Sequence, residues 1–218
     1  MTEIDKEKSK ALRLTVFASG SGTNFQAIHR SILEKKLNAA VVGVITNNPD
    51  SGAKAYAEAN GIETAVINKK LCGEDNIEST ILRTLDGWNT DLIVLAGYMK
   101  KIGGKIVEKY KNRILNIHPA LLPSFGGKGM YGLHVHEAVI EHGVKYSGVT
   151  VHLIDNDYDS GPIVLQKTVP VLDDDTPEIL QKRILKEEYK IYTEAIKLFA
   201  DDRIEINGRK VTVKRNNA

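Results

Sequence analysis

One cysteine in 218 residues, Cys72, rules out an intramolecular disulfide, and no basic-then-apolar leader opens the chain. The expectation is a reducing, cytoplasmic setting. No apolar run reaches the length that spans a bilayer, so no membrane-spanning helix is expected. Charge of one sign is scarce as well. Thirty basic residues against 28 acidic ones leave a formal charge of +2, with lysines scattered among carboxylates instead of forming a stripe. Neither a nucleic acid nor a membrane is expected as partner, which leaves small molecules. Internal repeats and low-complexity linkers are also missing. What remains, 42% apolar and 27% charged residues, is the composition of an ordinary globular protein with a sizeable core.

Residues 1–11 (MTEIDKEKSKA) are charged and aperiodic and read as a mobile tail, with residues 12–218 as one domain. From Leu12 the pattern is regular. LRLTVFA reads as a strand, SGSGTN as a turn, and Phe25, Ile28, Ile32 and Leu33 as the apolar face of a helix. Ala39 to Thr46 is the next strand, Gly52 to Asn60 a helix stopped by Gly61, and ETAVI a strand. Ile77, Ile81, Leu82 and Leu85 mark another helix before DLIVLAG, whose continuous apolar core suits a parallel strand covered on both faces. A short helix near Ile106 precedes RILNI, a buried strand that runs into His118-Pro119. Residues 120–132 are glycine-rich and aperiodic and read as a mobile loop over a site. SGVTVHLI and IVLQKTV are strand-like, residues 176–200 form a long amphipathic helix, and Asn207-Gly208 marks a closing hairpin. The alternation predicts an α/β fold: a doubly wound, mostly parallel sheet with helices on both faces. Ligands of such folds bind beyond the carboxyl ends of the strands.

Three segments fall at those strand ends. In Ser19-Gly20-Ser21-Gly22-Thr23-Asn24, glycines and a helix start suit a phosphate; the alternative is a tight turn in which Thr23 or Asn24 caps the helix. A third fingerprint glycine and a P-loop lysine are both lacking. Asn116 and His118, two apart on a strand, project side by side, where an amide and an imidazole can stabilise an oxyanion and handle a proton. A structural turn before Pro119 is the other reading. Asp155 to Pro162 (DNDYDSGP), with His152 before it, offers a carboxylate that would favour protonated His118, or else an acidic surface turn. His134 and His136 read as a helix start in preference to a metal pair, and His29, His142 and Cys72 have no chemical constellation around them.

The run SGSGTN, LAGYMKKI, LNIHPALLPSF and VHLIDNDYDSGP, in this order, resembles the phosphoribosylglycinamide formyltransferases, folate-dependent enzymes of purine synthesis; the likeness covers roughly residues 12–200. Its most specific elements are N-x-H-P-x-L-L-P and V-H-x-x-x-x-x-x-D-x-G-P. The resemblance implies a Rossmann-type amino-terminal half and a catalytic trio of Asn116, His118 and Asp159. It implies that Gly20 to Asn24 (Gly20, Ser21, Gly22, Thr23, Asn24) hold the phosphate of glycinamide ribonucleotide and that Glu188 contacts that substrate. The co-substrate, 10-formyltetrahydrofolate, would lie against Tyr98, Met99, Lys100 and Ile102 and the loop from Asp155 to Asp159. Lys100 stands where many members have arginine, and the loop Ser124 to Leu133 is longer and richer in glycine than in shorter members.

What the resemblance implies chemically is direct attack of the amine on the formyl carbon, with no metal. Protonated His118 would stabilise the oxyanion, Asn116 would orient it, and Asp159 would move the proton through water. A formyltetrahydrofolate hydrolase needs the same trio but carries an amino-terminal regulatory domain, for which the residues before Leu12 are too few. Transfer to methionyl-tRNA would call for a basic carboxyl-terminal domain. A noncatalytic nucleotide-binding module is the reading from another class, and the poor dinucleotide fingerprint weighs against it. Both monomer and homodimer stay open.

Overall fold

A computed structural model describes residues 10–215. Nine residues of the expected tail therefore lie outside the described residues; Lys10 and Ala11 carry no regular structure. The chain then alternates: β1 (Leu12–Phe17), α1 (Thr23–Leu33), β2 (Ala39–Thr46), α2 (Gly52–Ala59), β3 (Thr64–Val66), α3 (Lys69–Cys72), α4 (Ile77–Gly87), β4 (Leu92–Leu95), α5 (Gly104–Lys109) and β5 (Ile114–His118). After a long loop come α6 (Leu133–Glu141), β6 (Tyr146–Leu153), β7 (Ile163–Pro170), α7 (Pro177–Ala200) and a two-stranded hairpin, β8 (Ile204–Asn207) and β9 (Lys210–Val213). Among the described residues, no helix is long and apolar enough to cross a membrane.

The seven-stranded sheet has the order β3-β2-β1-β4-β5-β6-β7. Its first five strands are parallel, and β6 and β7 are added antiparallel at one edge. The expected doubly wound, mostly parallel sheet with a small hairpin is thus present. Strand periodicity explains the two cores. In β4, Leu92 and Val94 enter the cluster that holds Phe25 and Ile28 of α1 and Leu180, Ile184 and Tyr192 of α7. Ile93 and Leu95 point the other way, to Ile81 and Leu85 of α4 and Ile106 of α5. Because β2 and β4 flank β1 on opposite sides, the winding reverses there, and a crevice opens beyond the carboxyl ends of β1 and β4.

One local expectation is corrected. Leu33 does not share the buried face of α1: it is 64% exposed, whereas Phe25 and Ile28 are fully buried, since its position carries it past the stripe that meets the sheet. Cys72 lies in the short helix α3, which the Asn68 side chain caps by accepting the Leu71 N–H. In the final hairpin Asn207 pairs with Lys210, so the two-residue turn is Gly208-Arg209, with the glycine at φ 58° in its first position.

Candidate active site

The crevice is a cleft of about 510 Å³, within the range of small-molecule sites. Its walls include Ser21, Thr23, Asn24, Tyr98, Met99, Lys100, Ile102, Asn116, His118, Asp155, Asp159 and Glu188. Gly20 and Gly22, expected beside them, do not line it. Both serve the turn instead: the Gly20 carbonyl accepts the Ala53 N–H, and Gly22 stands at φ 73° with Ala53 so close that a β-carbon would collide with it. The expected side-chain cap is also absent. Gly22 is the N-cap of α1 and no side chain closes the helix start, so neither Thr23 nor Asn24 performs that task. The positive end of α1 is left facing the cleft.

Asn24 turns toward α7, where its Nδ2 donates to the Glu188 carboxylate at 2.6 Å. Glu188 is only 9% exposed, and burial raises its pKa while the bond from Asn24 opposes that rise. One turn further along α7, the fully buried Tyr192 hydroxyl lies within hydrogen-bond reach of the Leu95 and Leu115 carbonyls, at 2.9 and 3.0 Å. This anchor fixes the helix against the ends of β4 and β5 and aims Glu188 at the same cleft.

Opposite lies the histidine cluster. Asn116 pairs with His152 across β5 and β6, and its Nδ2 sits 3.1 Å from His152 Nε2. The Leu153 carbonyl, 2.9 Å from His152 Nδ1, can only accept, so the ring proton belongs on Nδ1 and Nε2 accepts from Asn116. That contact settles which way the Asn116 amide faces and leaves its second N–H free. His118 is ordered in a similar way. Its Nε2–H donates to the Phe125 carbonyl at 2.8 Å, which turns Nδ1 toward Asp159.

Asp159 sits at φ 53°, and its two carboxylate oxygens lie 3.7 Å from His118 Nδ1 and 3.7 Å from His152 Nε2. The Gly127 N–H also donates to it at 2.9 Å. Asp159 favours the protonated form of His118, as expected of a carboxylate beside it. Burial is the larger influence and pulls the imidazole below its ordinary pKa, with Asp159 and the Phe125 carbonyl opposing it only in part. Burial lowers His152 in the same direction.

Tyr98, Met99 and Ile102 form an apolar wall with Leu95 and Ile154, and burial raises the Tyr98 hydroxyl to about 12, so it stays protonated. Lys100 and Asp155 lie at this end, where Ser160 Oγ and the Asp157 N–H bond to the Asp155 carboxylate. His134 and His136 begin α6, as the helix-start reading expected. His136 also lines the cleft; its Nδ1 is buried without a partner and burial drives its pKa to about 4. Sequence reasoning gave no site role to His136, His152, Phe125 or Gln181. Of these, only His152 had a signal, as the histidine of the V-H-x-x-x-x-x-x-D-x-G-P run, and its pairing with Asn116 is not visible in alternation alone.

Residues 12–196, which contain this doubly wound sheet and the cleft beside it, match the formyl transferase family. The chain belongs to that family. Within it, the chain is 43% identical over 209 residues to the chloroplastic phosphoribosylglycinamide formyltransferase of Arabidopsis thaliana, covering 94% of this chain and 72% of that one. The Escherichia coli phosphoribosylglycinamide formyltransferase is 32% identical over 197 residues, covering 90% and 91%. The crystal structure of glycinamide ribonucleotide transformylase 1 from Symbiobacterium toebii superimposes with a TM-score of 0.89 at 39% identity, over 95% and 96% of the two chains. A formyltetrahydrofolate deformylase from Pseudomonas syringae shares the fold, at 22% identity.

Proposed function

We propose that this enzyme transfers the formyl group of 10-formyltetrahydrofolate to the amine of glycinamide ribonucleotide, a step of purine synthesis. One observation carries the reading. A single cleft joins the Asn116, His118 and Asp159 cluster to the uncapped start of α1 and to the buried Glu188 carboxylate. An acceptor with a phosphate at one end and an amine at the other suits that pair of features. Ser21, Thr23 and Asn24 take the phosphate at the helix start, and Glu188 holds the amine end. The wall of Tyr98, Met99 and Ile102 is suited to a flat heterocycle, with Lys100 and the backbone from Asp155 to Asp159 at its rim. The reaction is assigned to the cytoplasm, on the single-cysteine composition, and to the domain formed by residues 12–218.

In the reaction the amine nitrogen bonds to the formyl carbon, the bond from that carbon to the folate nitrogen breaks, and one proton passes from the first nitrogen to the second. The free N–H of Asn116 meets the formyl oxygen as it gathers charge. His118, its pKa lowered by burial, enters neutral and takes on Nδ1 the proton that the attacking amine loses, becoming charged as that oxygen does. Asp159, 3.7 Å away, steadies the charged ring and passes the proton on through water. The experiment is to supply both compounds and follow formylated nucleotide.

A further inference from the structure

The β8–β9 hairpin lies beyond the segment that matches the family, yet its tip reaches the site. Arg203 closes the hairpin by donating from Nε and Nη2 to the Lys214 carbonyl, and Ile204, Ile206 and Val211 pack on the core. The turn at Gly208 then presents Arg209, whose Nη2 donates to the Ser160 carbonyl at 2.5 Å. Ser160 is the residue after Asp159. On its far side Gly161 is pressed so closely on the Leu153 carbonyl that a β-carbon would collide with it. Upstream, the Ser160 hydroxyl is bound to the Asp155 carboxylate at 2.8 Å. Asp159 itself holds a left-handed backbone conformation, which is uncommon for residues other than glycine, asparagine and aspartate.

We infer that Arg209 is a positioning residue for the reaction: the hairpin tip holds the Ser160 carbonyl and thereby keeps the Asp159 carboxylate turned toward His118 and His152. Arg209 touches neither reactant in this account. It acts through the Ser160–Gly161 peptide, one residue beyond the relay carboxylate, which its long, planar donor reaches. The inference rests on the formyl-transfer reading given above.

The test compares wild type, Arg209→Ala and Arg209→Lys in steady-state transfer from about pH 5.5 to 9, with thermal unfolding alongside. Arg209→Ala is expected to lower kcat roughly threefold to tenfold and to shift the acidic limb of its pH profile, with both KM values held within about twofold. Its Tm should stay that of wild type, and Arg209→Lys should recover most of the loss by donating to the same carbonyl. An unchanged kcat and pH profile in Arg209→Ala overturns the inference. So does a higher folate KM at constant kcat, which makes Arg209 a binding contact, or an activity loss that tracks a fall in Tm at every pH. Absence of transfer by wild type would instead remove the underlying reading.

Discussion

The Asp159 carboxylate lies 3.7 Å from Nδ1 of His118, which is too long for a direct hydrogen bond and close enough for a charge on one to govern a charge on the other. The Phe125 carbonyl enforces this arrangement by occupying the opposite ring nitrogen. The Asn116 amide and the His118 imidazole both line the cleft. Asn116→Ala and His118→Ala should each lower kcat by two to three orders of magnitude, since one such contact is worth about 2.7–4 kcal/mol of barrier. Steady-state kinetics with both substrates checks this, and near-normal turnover in both variants would remove the trio from the chemistry.

Glu188 is buried, and Asn24 holds one of its oxygens. Glu188→Gln keeps an oxygen for Asn24 and removes the charge that would meet an amine. The expected result is a KM for glycinamide ribonucleotide raised roughly tenfold to a hundredfold, the value of a charged hydrogen bond of about 1.5–3 kcal/mol. The folate KM should stay near wild type. Equal changes in both constants would place Glu188 outside the acceptor's contacts.

Gly161 has the Leu153 carbonyl where a β-carbon would stand. Gly161→Ala must push the loop outward, so it should cost about 1–3 kcal/mol of stability, as overpacking does, and lower kcat with it. Urea unfolding and turnover of the same preparation give both numbers. A variant as stable and active as wild type would show the loop to be soft.

His136 gives the fold an acid limit. In the unfolded chain it takes up a proton near pH 6.5, while in the folded protein burial delays that uptake to about pH 4. Between these values the unfolded state binds more protons, so stability is fully present above the unfolded pKa and is lost as pH falls toward the folded one. His118 and His152, also lowered, act in the same direction. Wild type should lose roughly 2 kcal/mol between pH 7 and 5 from His136 alone, at about 1.4 kcal/mol per pH unit. His136→Asn should show a slope shallower by roughly 0.7 proton, averaged between the two pH values, in urea unfolding. Equal slopes would mean that the ring already charges in the fold.

Much of this architecture could be read from the chain, because strands and helices of a doubly wound sheet declare themselves locally. The continuous apolar run from Leu92 to Leu95 and the helical spacing of Ile77, Ile81 and Leu85 each depend on near neighbours. Asn116 and His118 were legible for the same reason, being two apart on one strand. Three features were not. His152 meets Asn116 only through the antiparallel pairing of β6, Phe125 reaches His118 only because its backbone adopts φ 54°, and the lowered pKa of His118 comes from burial by distant elements. The resemblance to known formyltransferases supplied Asp159, and tertiary structure brought it to the ring.

The central claim is that the formyl group goes to a phosphorylated amine, and one measurement tests it most directly. Purified protein is given 10-formyltetrahydrofolate with and without glycinamide ribonucleotide, and formylated nucleotide, tetrahydrofolate and free formate are quantified together. The account predicts one formylated nucleotide for each tetrahydrofolate released, with negligible folate turnover when the nucleotide is left out. Formate released at the same rate in the absence of nucleotide would contradict it.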